Sequence, residues 1–197
     1  GIPVSEGSLY NFNQEAYGLL ATFEEKVKAK LAGSDLLHVD ETGINMNGDK
    51  RWLHCTSNGS WTYFFPHEKR GTDAMNAVGI LPKFRGILCH DHWKPYYKYD
   101  CTHALCNAHH LRELEGVWEE DKQQWAKDAK SLLEEMNRAV NDGGGLLETS
   151  ESEKYRQRYR SILKNAETEC PPPDETKRKG KRGRVKRTKA RNLLERL

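Results

Sequence analysis

Two tight-turn signals set the architecture of the first half of this chain. Asn47-Gly48-Asp49 and Asn58-Gly59 punctuate an otherwise strand-like stretch. Residue pairs of this kind accept the positive φ angles of two-residue hairpin loops, so the segments they separate are predicted to pair antiparallel. The predicted strands are residues 36–40, with Thr42-Gly43 as turn chemistry after them, then 51–56 and 61–65. In the third, Trp61, Tyr63 and Phe65 share one face. Three strands joined by tight turns form a meander.

Before the meander, Phe12, Ala16, Leu19, Leu20, Phe23, Val27 and Leu31 recur at helical spacing, and Gly33 follows as a stop. This predicts an amphipathic helix over 12–31. After the meander, Thr72 is a candidate N-cap for a short helix over 73–78. Gly86-Ile87-Leu88-Cys89 is a short apolar run without alternation, which predicts a strand buried on both faces. Residues 102–106 make a fifth strand. From His109 the period is helical through Val140, with Gly116 as a candidate break. Ser150 and Glu153 read as a capping box for a further helix that ends at Pro171-Pro172-Pro173. Leu193, Leu194 and Leu197 begin one more apolar face, without a stop signal after it. This element order is that of a ribonuclease-H-like α/β domain: a mixed sheet of antiparallel meander and parallel strands, flanked by helices. The expected organisation is a packing helix at 1–33, an incomplete catalytic core at 34–140, and part of a helical insertion at 141–197.

Charge is unevenly distributed. The 197 residues carry 32 Lys and Arg against 29 Asp and Glu, for a net charge of +3. Residues 177–191 hold ten of the basic residues and no acid, which leaves −7 on the remainder. A basic stretch on an acidic body points to an anionic partner. Lys177, Arg178, Lys179, Lys181, Arg182, Arg184, Lys186, Arg187, Lys189 and Arg191 are the candidates, and DNA is the expected partner. Without interleaved aromatics they suit backbone phosphate and not base readout. No apolar run approaches the ~20 residues of a membrane span, so a membrane partner is not expected. The chain begins with Gly and carries no signal-peptide pattern, so it reads as an internal piece of a longer protein. Five cysteines form an odd set with no disulfide rhythm, which points to a reducing cytoplasm.

Asp40 ends the first predicted strand and Asp91 follows the fourth. In a sheet of this order those two strands lie side by side and parallel. Two carboxylates brought together there ionise cheaply only with a cation between them. Mg²⁺ or Mn²⁺ suits such a pair, and two such ions can activate an attacking oxygen and stabilise the leaving oxygen of a phosphodiester. The competing reading is two Asp side chains held by backbone N–H groups. Glu41, beside Asp40, points to the other face and reads as a hydrogen-bonding residue. His90 and His92 flank Asp91 and read as packing or surface groups. Trp52, Trp61, Tyr63 and Phe65 read as meander packing ahead of a base-stacking platform. Cys106-x-x-His109 has the spacing of half a zinc site, with Cys101, His103 and His110 nearby. No second clean pair is present, so a small buried Cys and a helix-orienting His are favoured over Zn²⁺.

Three stretches together resemble a known family. They are His38-Val39-Asp40-Glu41-Thr42-Gly43, His90-Asp91-His92-Trp93-Lys94-Pro95-Tyr96, and Cys106-Asn107-Ala108-His109-His110-Leu111-Arg112-Glu113-Leu114. With the closing segment from Gly183 to Leu197, they resemble the central domain of the insertion-sequence-66 family of bacterial DDE transposases. The resemblance implies a divalent-metal-dependent core that cuts DNA at transposon ends and transfers the strand to target DNA, working as a homo-oligomer in the bacterial cytoplasm. It makes Asp40 and Asp91 the first two of three carboxylates. The third, a Glu within an Asn-Asn-x-x-Glu-Arg-like segment, has no counterpart here, and Glu113, Glu115, Glu119 and Glu120 are not placed by the family pattern as its equivalent. The expectation is a fragment weak or inactive alone. Arg112 is assigned to positioning DNA or bracing the site. The alternatives are another metal-dependent nuclease of the same fold, and a non-catalytic DNA-binding or zinc-stabilised module.

Overall fold

The computed structural model describes residues 3–174 and 185–197. The chain divides into two compact units, Gly1–Cys106 and Asn107–Leu197. The division falls earlier than the sequence grouping, because the helices after Cys106 pack with the helices that follow them.

The first unit opens with α1 (Glu6–Ala32), capped by Ser5, whose hydroxyl accepts from the Ser8 N–H. The strands are β1 (Leu36–Met46), β2 (Asp49–Ser57), β3 (Thr62–His67), β4 (Ile87–His90) and β5 (Thr102–Leu105). Their order in the sheet is β3-β2-β1-β4-β5. β1, β2 and β3 pair antiparallel, whereas β4 pairs parallel with both β1 and β5. This is the mixed five-stranded sheet expected from the element order.

Turn chemistry fixes the meander. Asn47 and Gly48 take φ of 54° and 91°, the left-handed pair that a two-residue hairpin loop requires. At the next corner Asn58 Oδ1 accepts from the N–H groups of Ser60 and Trp61. Thr42-Gly43 forms no turn: β1 runs on to Met46, because the β1–β2 ladder extends to the Met46–Asp49 pair. Asp40 therefore lies inside a long strand and not at its end. Pro66, at a position that no central strand tolerates, sits on the edge strand β3. At the entry to β4 a Cβ on Gly86 would collide with the carbonyls of Ser34 and Asp35. Glycine there lets the two parallel strands start side by side, and the Ile87 N–H donates to Asp35 O at 2.7 Å.

One face of the sheet is covered. Leu37, Val39 and Leu88 pack there with Val27 and Leu31 of α1, with Met75 and Val78 of α2 (Thr72–Val78), and with Ile80, Leu81, Phe84, Tyr96 and Tyr99. Thr72 is the first residue of α2 and Gly71 precedes it as N-cap without a side-chain bond, so the predicted threonine cap is not formed. The opposite face is open: Leu36, Phe64 and Ile87 are 43%, 57% and 43% exposed. β4 is thus buried on one face, not two as its apolar run predicted.

The second unit is helical: α3 (Asn107–Asp121), α4 (Gln124–Asp142), α5 (Thr149–Glu169) and α6 (Lys189–Leu194). α3 and α4 part at Lys122, which has a φ of 55°, and not at Gly116. Glu148, not Ser150, precedes α5, and no capping box forms. α6 ends at Leu194 after starting on a Thr188 cap. Leu114, Val117, Trp125, Ala126, Ala129, Ala166, Leu193 and Leu194 make this unit's core.

Candidate catalytic carboxylates

β1 and β4 pair as Leu36 with Ile87, Leu37 with Leu88 and His38 with Cys89. Carried two residues further, that register sets Asp40 across from Asp91. Alternation puts both on the open face. Along β1 the even positions Leu36, His38, Asp40 and Thr42 are exposed, while Leu37, Val39 and Glu41 are buried. Asp91 continues the half-open parity of Ile87 and Cys89.

Each carboxylate is oriented by one backbone donor. The Glu41 N–H donates to Asp40 Oδ1 at 2.9 Å, and the Trp93 N–H to Asp91 Oδ1 at 2.9 Å. These bonds occupy one oxygen of each group and fix its rotation. What is presented is a pair of oriented, water-accessible carboxylates, one within β1 and one just past the end of β4. That donor set fits a hard divalent cation that keeps part of its water shell.

The turn after Asp91 is held by a histidine relay. His90 is 1% exposed and lies on the covered face. Its Nδ1 accepts from the His92 N–H at 3.1 Å, so the proton of the neutral ring sits on Nε2. Nε2 then donates to His103 Nδ1 at 3.0 Å, and His103 Nε2 reaches the Tyr99 carbonyl at 3.3 Å. Burial pushes the His90 pKa down to about 4, so the ring stays neutral and the relay intact. His92 takes a φ of 72°, a left-handed conformation rare for a residue with a Cβ. Its ring meets the Tyr97 hydroxyl at 2.7 Å.

Glu41 is the polar centre of the covered face. Its side chain is 1% exposed and bonds the Arg70 guanidinium at 2.7 and 2.8 Å. The Tyr96 hydroxyl donates to its other oxygen. Burial nevertheless raises the Glu41 pKa, opposed by Tyr96 and Arg70, and the Asp91 charge pushes the same way as burial. The Tyr96 hydroxyl is held far above its usual value by burial, then by Glu41, Asp91 and Asp40. Both aspartates are therefore within electrostatic reach of one buried hydroxyl. Arg70 lies over the rings of Trp52, at 4.9 Å, and Trp93, at 4.2 Å. Trp52 thus packs against a cation and is not among the residues packed on the core, whereas Trp61, Tyr63 and Phe65 are. Sequence reasoning found Glu41 as a hydrogen-bonding residue and noted His103 only as a neighbour of the Cys106-x-x-His109 spacing, and it missed Arg70. Tyr96 lay inside a quoted motif, whereas Arg70 sits between predicted elements with no pattern to mark it.

The remaining candidates fall elsewhere. Cys106 closes the first unit and its thiol meets Cys89, whose own thiol pKa is raised by burial and then by Cys106. His109 lies in the first turn of α3, and its Nδ1 is buried without a hydrogen-bond partner among the described residues. Among the described residues no three His, Cys, Asp or Glu side chains gather as a metal site. Arg112 is exposed on α3 and donates to the Ala108 carbonyl. Lys177, Arg178, Lys179, Lys181, Arg182 and Arg184 lie outside the described residues. Lys186 is exposed. Arg187 pairs with Glu195 at 2.5 Å, and Lys189 with Glu120 at 3.3 Å. Arg191 turns inward, bonded to Glu167, Glu195 and the Cys170 carbonyl.

The family described as Transposase IS66 family matches residues 1–196. The chain belongs to the IS66 transposase family. No curated protein matches it. Among solved structures, it is similar to a chain of the simian T-cell lymphotropic virus intasome in complex with the PP2A regulatory subunit B56 gamma. That likeness has 11% sequence identity and a TM-score of 0.30, and covers 64% of this IS66-family chain and 46% of the other. The chain thus spans about half the length of that solved relative. Among the described residues no helix is long and apolar enough to cross a membrane.

Proposed function

We propose that this chain carries the catalytic core of a DNA transposase, and that Asp40 and Asp91 are two carboxylate ligands for Mg²⁺ or Mn²⁺. The observation that carries the reading is the β1–β4 register, which runs Asp40 toward Asp91 on the sheet's open face from positions far apart in sequence. Membership of a transposase family supports this reading, in which DNA strand cleavage is followed by transfer of the freed 3′-OH.

When bound, the cation supplies activation of the attacking oxygen and stabilisation of the leaving oxygen at phosphorus. The chain's own residues do the rest. On this reading Asp40 and Asp91 offer their free oxygens to one cation, each carboxylate held by a backbone N–H. The His90–His103 relay fixes the turn that carries Asp91. Glu41, Arg70 and Tyr96 seal the other side of β1 without leaving a charge unmatched. The basic segment at 177–191 contacts DNA phosphates, with Lys186 exposed for it and Arg191 holding the segment's end to the helical unit. Cys106 packs its thiol against Cys89.

Mn²⁺ binding read by electron paramagnetic resonance tests the site on the isolated chain. Wild type is expected to bind Mn²⁺, with Asp40→Asn and Asp91→Asn each weakening binding at least tenfold. Equal binding by all three overturns the assignment. The isolated chain is expected to cut DNA weakly or not at all, so robust Mg²⁺-dependent cleavage lost in Asp40→Asn would show that two carboxylates suffice. Replacing Lys181, Arg182, Arg184, Lys186 and Arg187 by Gln is expected to flatten the salt dependence of DNA binding. An unchanged salt slope removes the segment from the interface.

A further inference from the structure

The residues paired between β1 and β4 end at His38 and Cys89, short of both Asp40 and Asp91. Asp40 is still held by the ladder to β2, where it pairs with Cys55. Asp91 lies past the end of β4, in the turn that leads to a short 3-10 helix, Lys94–Lys98. Strand pairing therefore does not fix one carboxylate against the other, although Mg²⁺ accepts only a narrow range of ligand positions.

Side chains on the covered face bridge that gap. The Glu41 N–H aims Asp40, and the Trp93 N–H aims Asp91. These two residues are joined through Arg70. Its Nε and Nη2 meet Glu41 Oε1 at 2.8 and 2.7 Å, and its guanidinium lies 4.2 Å from the centre of the Trp93 ring. Tyr96 makes a second link. Its hydroxyl donates to Glu41 Oε2, its N–H donates to the Trp93 carbonyl at 3.1 Å, and its ring meets that of Trp93 edge-on at 5.8 Å. The two residues whose backbones orient the aspartates are thus tied to each other by two routes.

Cohesion alone does not account for an ion pair at this place. A buried carboxylate with its cation gains little over well-packed apolar side chains of the same size. What the pair provides is direction, because charge-assisted hydrogen bonds are short and narrowly aimed and the guanidinium is a rigid planar fork. With both of its oxygens engaged from different sides, the Glu41 carboxylate has no freedom to turn.

We propose that Glu41 is a positioning residue: braced by Arg70 and Tyr96, it sets the spacing between the Asp40 and Asp91 carboxylates. The proposal rests on the reading of those two aspartates as ligands to one cation.

Mn²⁺ binding by electron paramagnetic resonance and amide hydrogen exchange by nuclear magnetic resonance, both on the 197-residue chain, test it. Tyr96→Phe changes no charge and keeps the ring, yet removes one link. It is expected to weaken Mn²⁺ binding about tenfold, the loss typical when a group that orients a metal ligand is removed. Arg70→Gln removes a positive charge close to both carboxylates, so Coulomb attraction alone would tighten Mn²⁺ binding. The brace predicts weakening instead. Val27→Ala, in the core but outside the brace, is expected to lower stability and leave Mn²⁺ affinity unchanged. In the metal-free protein, Tyr96→Phe is expected to speed exchange at the amides of residues 93 and 96 at least tenfold, while those of Leu37 and Leu88 keep the wild-type rate. Unchanged Mn²⁺ affinity in Tyr96→Phe, or unchanged or tighter binding in Arg70→Gln, overturns the proposal. So does exchange that stays unchanged in the turn or accelerates through the whole sheet, since Glu41 then serves stability and not position. A wild type that binds no Mn²⁺ overturns the carboxylate assignment instead, and the exchange pattern then decides by itself whether the brace holds the Asp91 turn.

Discussion

The two faces of the five-stranded sheet treat polar groups in opposite ways. On the covered face Glu41, His54 and His90 are all buried, and each is bonded: Glu41 to Arg70 and Tyr96, His54 to the Lys69 carbonyl, His90 to His103. On the open face Asp40 and Asp91 are bonded only enough to be aimed. Neighbours in sequence, Asp40 and Glu41 fall on opposite sides of this divide because a strand alternates. A buried carboxylate without partners would cost several kcal/mol, so Glu41 is neutralised by structure. An exposed one keeps its charge at little cost and is open to a cation from solution. Cohesion belongs to the first kind of site, and the proposed chemistry to the second.

This contrast can be broken by mutation. The largest effect is expected in the intact enzyme, where Asp91→Asn should lower strand transfer by 100-fold or more, an arithmetic loss of about 2.7 kcal/mol or more in the barrier. The same change should leave the thermal midpoint nearly unmoved. A cleavage assay and a melt on one preparation measure both, and a large drop in melting temperature would put Asp91 among the structural residues. On the covered face the expectation reverses. Arg70→Gln strands the buried Glu41 charge and should destabilise folding by about 3 kcal/mol, read from urea unfolding. The half-exposed guanidinium sets that figure toward the low end of the range for broken buried pairs.

Acid should loosen the covered face next. His90 has a folded pKa of about 4, below the ordinary histidine value of 6.5, so the native state binds its proton less readily than the unfolded chain. The stability it contributes is present above pH 6.5 and declines as the pH falls toward 4, by up to about 3 kcal/mol. His54, lowered by burial, acts in the same direction. Unfolding at pH 7 and pH 5 should therefore differ more in wild type than in His90→Asn; equal differences would remove His90 from the acid response. The smallest effect is expected at Ile87→Thr on the open face, within about 0.5 kcal/mol, because that side chain is already half in water. Leu88→Ala, one residue on and fully buried, should cost about 2–5 kcal/mol.

Local chemistry explains which parts of this fold could be read in advance. Asn47-Gly48 and Asn58-Gly59 carry their turn geometry in their own backbones, so the meander was legible. The apolar run at 86–89 was legible as a strand but misread as doubly buried. Four residues without alternation look the same whether one face is covered or both, and only the exposure of Ile87 distinguishes them. Thr42-Gly43 resembled a turn, yet pairing with Leu53 and Trp52 held it in the strand: tertiary ladder bonds outweighed local preference. The amphipathic stripe of α1 predicted a buried face over 12–31, whereas burial begins at Val27. Periodicity marks a face able to pack but is silent on what packs there.

The sequence by itself determined the order of elements, the two aspartates worth watching and the concentration of positive charge near the end. Those properties reside in single residues and their nearest neighbours along the chain. Tertiary structure alone decided that the strands leading to Asp40 and Asp91 lie side by side in parallel, that Arg70 closes over Glu41 between two indoles, and that His103 completes the relay behind the Asp91 turn. Each joins groups distant along the polymer. Which distant groups meet is set by strand pairing and the exclusion of water from one sheet face, and no local pattern encodes it.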